Sequence, residues 1–173
     1  MNSDKKKFNN YAFIDGQNLH ETVKKLKWYF CYHKFFDILR DHYSVSKAFY
    51  FIGYTQDRNC ELYRDLRSAG FQLSLRKPIR YLENGEMKIK ANVDSNLIAS
   101  LLMKLNRFDK AVIVAGDSDY YLIAKYLARQ DKLFKILLPS RSDSSNLYRS
   151  SLLMNNKIVY VNKMEKYFLK RNG

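Results

Sequence analysis

The stretch Ala111 to Tyr121, AVIVAGDSDYY, constrains the fold of this chain more than any other segment. Its small and β-branched apolar residues, bounded by a glycine, predict a buried strand, and Tyr120 to Arg129 has the spacing of a helix. Asp117 and Asp119 therefore lie where a strand passes into a helix. In an open α/β sheet, ligands bind at the carboxyl ends of the strands. The simpler interpretation of one such turn is a helix cap formed by Ser118 or an aspartate.

The rest of the chain predicts alternating strands and helices, which is typical of a mainly parallel α/β sheet. Five main strands are predicted at residues 11–14, 48–53, 71–75, 111–116 and 134–138, with a further edge strand at 158–161. Helices are predicted at 19–26, 34–42, 61–68, 97–107, 120–129 and 164–171. A small hairpin inserted at 79–89 has Asn84-Gly85, a favoured two-residue turn, at its tip.

Right-handed crossovers restrict the order of these strands. If the first three main strands wind one way and the last two the other, the order is 3-2-1-4-5, in a sheet of five or six strands. The first and fourth strands are then neighbours, so Asp15 and Asp117 end adjacent strands at one edge. Asp119 follows in the next helical turn, and Asp94 begins the preceding helix, which can lean over the same edge. The sequence thus predicts four carboxylates in one cleft, with Asn18 one helical turn beyond Asp15.

Such a cluster needs a compensating charge. Two like charges about 4 Å apart cost on the order of 4 kcal/mol at the dielectric of a protein surface. Several ionised aspartates are therefore tolerated only with a cation or with raised pKa values. The three histidines lack an HExxH-type pairing and the two cysteines lack CxxC spacing. Carboxylate oxygens without such partners favour a hard ion, Mg²⁺ or Mn²⁺.

The composition indicates what the chain binds. A formal net charge of +14 favours a polyanion such as nucleic acid, although an anionic membrane surface would also attract it. No apolar run approaches the ~18 residues of a spanning helix, and MNSDKKKFNN does not resemble a signal peptide. We therefore expect a cytoplasmic protein without a membrane partner and with reduced thiols. Residues 1–173 are expected to form a single domain, with 1–9 as a flexible basic tail.

Four segments in order resemble a known family. They are YAFIDGQNLH at 11–20, FYFIGY at 49–54, KANVD at 90–94 and VAGDSDYYLIAKYL at 114–127. Together they resemble the NYN family, also called LabA-like, of the PIN-like nuclease superfamily, with a likeness that reaches the region 144–147. The resemblance implies a three-layer α/β/α, Rossmannoid domain and divalent-metal-dependent cleavage of RNA. Its acidic site carries over to Asp15, Asp94, Asp117 and Asp119, with Asn18 beside it.

The chain departs from this pattern at a few positions. Relatives often carry further acids roughly where this chain has Asn96 and Ser100, and many have GDGDF where it has GDSDY. The first difference either weakens a second metal site or reflects a variable position. The second leaves both aspartates in place. Membership of a family also does not guarantee activity, because a fold and its site are sometimes kept for binding alone.

Basic and polar residues near the acids are candidates for nucleic-acid binding. A basic ribbon precedes Asp94 and consists of Arg76, Lys77, Arg80, Lys88 and Lys90. Its alternative interpretation is a solvated charged face. A polar loop after the fifth strand contains Arg141, Ser142, Ser144 and Ser145, which either bind a phosphate or cap the following helix. Gln56 and Arg58 are weaker candidates. The aromatic cluster Trp28, Tyr29, Phe30 and Tyr32 is interpreted as core rather than as a base-stacking surface.

Three functions are compatible with the sequence. The leading hypothesis is a Mg²⁺- or Mn²⁺-dependent ribonuclease acting on single-stranded or structured RNA, because such an ion and a basic surface suit phosphodiester hydrolysis. The second is a catalytically silent RNA-binding module in a regulatory complex. The third is a phosphohydrolase with a nucleophilic aspartate, which the net charge of +14 supports little. A homodimer is a candidate assembly for any of them.

Overall fold

A computed structural model describes residues 8–54, 60–90 and 93–169. The described strands are β1 Asn10–Asp15, β2 Val45–Gly53, β3 Gln72–Arg76, β4 Ile79–Glu83, β5 Glu86–Lys90, β6 Ala111–Val114, β7 Leu133–Leu138 and β8 Ile158–Tyr160. The described helices are α1 Gly16–Lys25, α2 Tyr32–Tyr43, α3 Cys60–Ala69, α4 Val93–Met103, α5 Tyr121–Arg129, α6 Asn146–Ser150 and α7 Glu165–Leu169. The basic tail Lys5 to Lys7 and the candidates Gln56 and Arg58 lie outside the described residues.

The main sheet has the order β3-β2-β1-β6-β7-β8. All of its neighbouring strands are parallel. Since β6 and β7 are the fourth and fifth predicted main strands, the order 3-2-1-4-5 is confirmed, and β8 extends it as the sixth strand. The winding reverses between β1 and β6, which pair from Tyr11↔Ala111 to Ile14↔Val114. The predicted acidic edge is therefore the edge at which the strand order reverses.

Helices cover both faces of the sheet. Along β1, Ala12 and Ile14 join one buried cluster, whereas Tyr11 and Phe13 join the other. The first cluster packs against α1, α2 and α3, and the second against α4 and α5. Both faces of β1 are thus buried, as expected for a central strand of a parallel sheet. The three-layer α/β/α prediction is confirmed.

Several helix boundaries differ from the sequence prediction. Helix α1 begins at Gly16 rather than Leu19, because the Asp15 side chain accepts a hydrogen bond from the Asn18 backbone and caps it. Helix α4 ends at Met103 rather than Arg107, where its last turn tightens into i to i+3 hydrogen bonds. A 3-10 turn over Ser118–Tyr120 precedes α5, so the predicted single helix starts in a tighter turn.

The β4–β5 hairpin pairs with itself and lies outside the main sheet. Asn84 and Gly85 have φ angles of 53° and 79°, the left-handed values that a two-residue hairpin turn requires. The predicted Asn-Gly turn is confirmed. The hairpin leads towards α4, and therefore towards Asp94.

The aromatic cluster is mainly core, as predicted. Phe30 is buried, and the Trp28 ring lies 4.7 Å from the ring of Phe168. Tyr29 is the exception, since 84% of its surface is exposed. Across the parts of the chain that the structure describes, no helix combines the length and apolar character needed to cross a bilayer.

Candidate active site

The four predicted aspartates come from three elements at the reversal edge. Asp15 is the last residue of β1 and is buried. Asp94 lies in the first turn of α4 and is half-buried. Asp117 and Asp119 are exposed and belong to the turn between β6 and α5.

A tyrosine hydroxyl connects two of these carboxyl groups. The Tyr120 Oη lies 2.8 Å from Asp15 Oδ2 and 2.6 Å from Asp94 Oδ1. Tyr120 itself is fully buried. Burial first, and then the charge of Asp15 and the contacts with Asp94, raise the pKa of Tyr120 far above its ordinary value. The structure thus brings Asp15 and Asp94 to one bridging group, although the two residues lie on different elements.

Asn18 connects Asp15 to the β6–α5 turn. Its backbone N–H donates to Asp15 Oδ1 at 3.0 Å, and its side-chain Nδ2 donates to Asp117 Oδ1 at 3.2 Å. Its Oδ1 accepts from the Gly116 N–H at 3.0 Å. The Tyr148 hydroxyl donates to the Asp117 carbonyl oxygen at 2.6 Å and so holds the same turn from the other side. Asn18 therefore lies beside the acids, as predicted, with both ends of its amide engaged.

Tyr120 and Tyr148 have roles that the sequence analysis missed. The helical spacing predicts that Tyr120 is buried, and a buried tyrosine usually finds a hydrogen-bond partner for its hydroxyl. The sequence could therefore have indicated a hydrogen bond at Tyr120. At Tyr148 the same rule does not identify the partner, because the acceptor is a backbone carbonyl 31 residues away.

Burial and mutual repulsion perturb two of the carboxyl groups. Burial is the largest cause of the raised pKa of Asp15, and the charges of Asp94 and Asp117 raise it further, against the hydrogen bonds from Asn18 and Tyr120. The pKa of Asp117 is also raised, first because its carboxyl group is partly buried although the residue as a whole is exposed, and then by the charges of Asp94 and Asp119. Among the described residues, no lysine, arginine or histidine forms an ion pair with any of the four aspartates. Their negative charge therefore has no ion-pair partner in the described protein.

The donor set suits a hard divalent cation. Carboxylate and amide oxygens are the ligands that Mg²⁺ and Mn²⁺ prefer, and the clustered charge is what such an ion compensates. Within the described ranges, however, no three acidic, histidine or cysteine side chains are placed to hold one ion together. The Tyr120 hydroxyl contacts both Asp15 and Asp94 instead. The residues fit the ion by their chemistry, because Asp15 and Asp94 each bring a carboxylate oxygen to one place.

A cleft of about 380 Å³ adjoins the acidic cluster. It shares Asn18 and Asp117 with that cluster and extends along α1 to the loop after β7. Its other lining residues are Glu21, Thr22, Lys25, Leu26, Pro139, Ser140, Ser142, Asp143 and Asn162. Lys25 Nζ and Asp143 Oδ1 form an ion pair of 2.9 Å within this lining. The cleft thus offers a polar surface that includes both Asp117 and the Lys25–Asp143 ion pair.

The predicted nucleic-acid contacts lie in two places. Arg76 and Arg80 are exposed, at the end of β3 and in the hairpin. Backbone pairing sets Lys88 opposite Tyr81 and Lys90 opposite Ile79, while the side chains of both lysines fall outside the described residues.

The loop after β7 uses its serines internally. The Ser144 hydroxyl donates to the Ser140 carbonyl, and Ser145 Oγ accepts from the Leu147 N–H and caps α6. Arg141 is exposed, and its carbonyl accepts from Arg149. Of these three predicted contacts, Arg141 has its side chain most open to solvent.

The two positions where relatives often carry acids have other contacts. Asn96 Nδ2 donates to Ser74 Oγ at 2.9 Å, and Ser100 Oγ accepts from Lys104 Nζ at 2.8 Å. Both side chains are engaged along α4 and β3. Neither of these described hydrogen bonds involves any of the four aspartates.

A three-layer α/β/α domain with acidic side chains at the reversal of strand order matches a PIN-like domain. The NYN domain family model matches residues 11–152, and the chain belongs to that family. The fold also matches the crystal structure of a protein of unknown function from Vibrio parahaemolyticus RIMD 2210633, with a TM-score of 0.68 and 20% sequence identity. That match covers 93% of this chain and 96% of the other. Comparison with curated proteins gives no match.

Proposed function

We propose that this protein is a cytoplasmic, divalent-metal-dependent ribonuclease that hydrolyses RNA phosphodiester bonds at its aspartate cluster. One observation carries the proposal: Asp15 and Asp94 bring carboxyl oxygens to the same Tyr120 hydroxyl, and Asn18 joins Asp15 to Asp117, with no described cation in an ion pair with these aspartates. Burial first, and the charges of the neighbouring aspartates second, raise the pKa of Asp15 and of Asp117. Membership of the NYN family and the net charge of +14 support the same activity.

Asp15, Asp94 and Asp117 would hold the ion, with Asp119 as a further ligand or as the group that orients water. A divalent ion supplies activation of a water nucleophile and neutralisation of the charge that develops on the leaving oxygen. Asn18 keeps Asp117 oriented, because both ends of its amide are hydrogen-bonded. Lys25, which lies in the adjoining cleft and pairs with Asp143, would offer its positive charge to a phosphate next to the reacting one by exchanging Asp143 for that phosphate.

The direct test is incubation of labelled single-stranded and stem-loop RNA with Mn²⁺, with Mg²⁺ and with a chelator. We expect cleavage with metal, none with chelator, and a loss of at least about 100-fold in Asp117→Asn, the size of effect seen when a group that stabilises transition-state charge is removed. Asp131→Asn is the matched control, since Asp131 is exposed at the other end of α5 and pairs with Lys110. Cleavage that survives chelator or Asp117→Asn would contradict the proposal.

A second function is favoured by a specific observation. In the described part of the chain no three acids are placed to share an ion, and Tyr120 contacts two of them. A silent RNA-binding module would show affinity for RNA that falls with salt, without turnover and without any effect of Mn²⁺. The same incubation, followed by binding measurements, separates the two functions.

A further inference from the structure

We infer that Tyr120 is a positioning residue of the acidic site, whose hydroxyl sets the relative position of the Asp15 and Asp94 carboxylates and thereby the affinity of the site for a divalent ion. This inference rests on the proposed function, because it assumes that these carboxylates are the ligands. It assigns to the hydroxyl a role beyond filling the core.

The Tyr120 hydroxyl contacts both carboxylates. Oη lies within hydrogen-bond distance of one oxygen from each carboxylate, at 2.8 Å and 2.6 Å. Tyr120 follows Asp15 by 105 residues and Asp94 by 26, so the contact joins the end of β1 to the start of α4 through the β6–α5 turn. A phenylalanine ring would fill the same core volume without making either contact.

The second step is that nothing else described holds Asp94. Asp15 has a second hydrogen bond, from the Asn18 backbone at 3.0 Å. The Asp94 carboxylate, within the described residues, has Tyr120 as its hydrogen-bond partner and lies only in the first turn of α4. Without the hydroxyl, the Asp94 side chain is free to leave the position that faces Asp15.

The third step is a proton count. A phenol has one proton, and an ionised carboxylate only accepts. Tyr120 therefore donates to one of the two carboxyl groups at a time, while its oxygen lies within 2.8 Å of both. One buried hydroxyl thus ties the positions of both carboxyl groups to a single atom.

The test is calorimetric titration of Mn²⁺ alone into the full chain and into Tyr120→Phe, without RNA. We expect Tyr120→Phe to bind Mn²⁺ about 10- to 100-fold more weakly, the usual effect of removing a group that orients metal ligands. Tyr11→Phe is the matched control, because Tyr11 belongs to the same buried cluster and lies at the opposite end of β1 from Asp15. Its affinity is expected to match that of the unmodified chain.

Thermal unfolding in chelator measures the stability of each variant separately. A merely structural hydroxyl would lower the unfolding temperature of Tyr120→Phe and leave its Mn²⁺ affinity within about twofold of the unmodified chain, which would overturn the inference. If Tyr120→Phe is partly unfolded, the titration is repeated in sucrose, which favours the folded state.

The two proposals fail separately. Mn²⁺ binding that Tyr120→Phe weakens, without cleavage of RNA, contradicts the proposed ribonuclease and supports the role of Tyr120. Cleavage of RNA by the unmodified chain, with unchanged Mn²⁺ affinity in Tyr120→Phe, supports the proposed ribonuclease and contradicts the role of Tyr120. An unmodified chain that binds no Mn²⁺ overturns both.

Discussion

Asp15 uses its two carboxyl oxygens for different purposes. Oδ1 accepts from the Asn18 N–H and caps α1, whereas Oδ2 meets Tyr120. The first contact fixes where the helix begins, and the second brings the buried carboxyl to the acidic cluster. Folding and the candidate chemistry therefore place opposed demands on one residue, since a neutral side chain would satisfy the cap without the repulsion.

This conflict predicts that Asp15→Asn stabilises the metal-free protein at neutral pH. The raised pKa of Asp15 means that the folded state favours its protonated form, so its stabilising contribution is present below the ordinary pKa and is lost as the pH rises through the raised value. Asparagine caps a helix as well as aspartate does. We expect a gain of about 1 kcal/mol at pH 7, the usual size of a single-site effect, and little change at pH 4.

Urea unfolding in chelator at the two pH values measures this effect. Asp131→Asn is the control, because the pKa of Asp131 is shifted in the opposite direction: the hydrogen bond from Lys110 lowers it. Replacing the Asp131 carboxylate is therefore expected to give no gain in the free energy of unfolding at pH 7. A lower free energy of unfolding for Asp15→Asn at pH 7 would contradict the prediction.

At the scale of elements, the β4–β5 hairpin contributes none of its described side chains to the core. These side chains are exposed, including the apolar Leu82 and Met87. It follows the exposed Arg76 and carries Arg80, and its second strand ends shortly before α4 and Asp94. A basic, exposed element that leads into the acidic helix is suited to hold the backbone of a nucleic acid near the carboxylates.

We therefore expect Arg76→Ala combined with Arg80→Ala to weaken RNA binding. Arginines that neutralise phosphates act through counterion release, so the affinity should fall several-fold. The slope of log affinity against log salt should decrease by about 0.7 for each phosphate of single-stranded RNA that an arginine no longer neutralises. Fluorescence anisotropy over a salt series measures both quantities.

The control for the hairpin is Arg64→Ala combined with Arg67→Ala. These arginines are exposed on α3, and their removal changes the net charge equally. An equal loss of affinity in both double variants would show that overall charge, rather than the hairpin, attracts RNA.

At the scale of the whole molecule, the reversal of strand order brings the acids together. The order places β1 beside β6, while α4 packs against β1 and β2 and so carries Asp94 to the same edge. The core on both faces of β1 holds this arrangement against the repulsion of the carboxylates. Any ion that relieves the repulsion must stabilise the whole fold, because it binds only when the elements are assembled.

Mn²⁺ is accordingly expected to raise the unfolding temperature. At about 100 times its dissociation constant a ligand adds about 2.7 kcal/mol, which corresponds to roughly 5–10 °C for a chain of this size. Differential scanning fluorimetry with Mn²⁺ and with chelator measures the shift. The shift should be present in Asp131→Asn and absent in Asp117→Asn, and its persistence in Asp117→Asn would place the ion elsewhere.

The sequence by itself determined the parallel sheet, the strand order and the strand ends beside which Asp15 and Asp117 lie. These properties follow from local signals: apolar runs, helical spacing, the Asn84-Gly85 turn and the handedness of crossovers. The three layers followed from the resemblance to the NYN family. The helical pattern that begins near Asp94 placed this residue at the same edge, and the motifs shared with the NYN family pointed to it as well. The predicted metal and RNA contacts stay predictions.

Only the tertiary structure decided how the acidic side chains meet. The Tyr120 bridge between Asp15 and Asp94, the amide of Asn18 on Asp117 and the internal hydrogen bonds of Ser144 all depend on rotamers chosen when separate elements pack. Periodicity records whether a residue is buried, but it does not record which distant partner a buried hydroxyl finds. That choice belongs to the assembled core, because hydrogen-bond geometry is set within tenths of an ångström by packing from several elements at once.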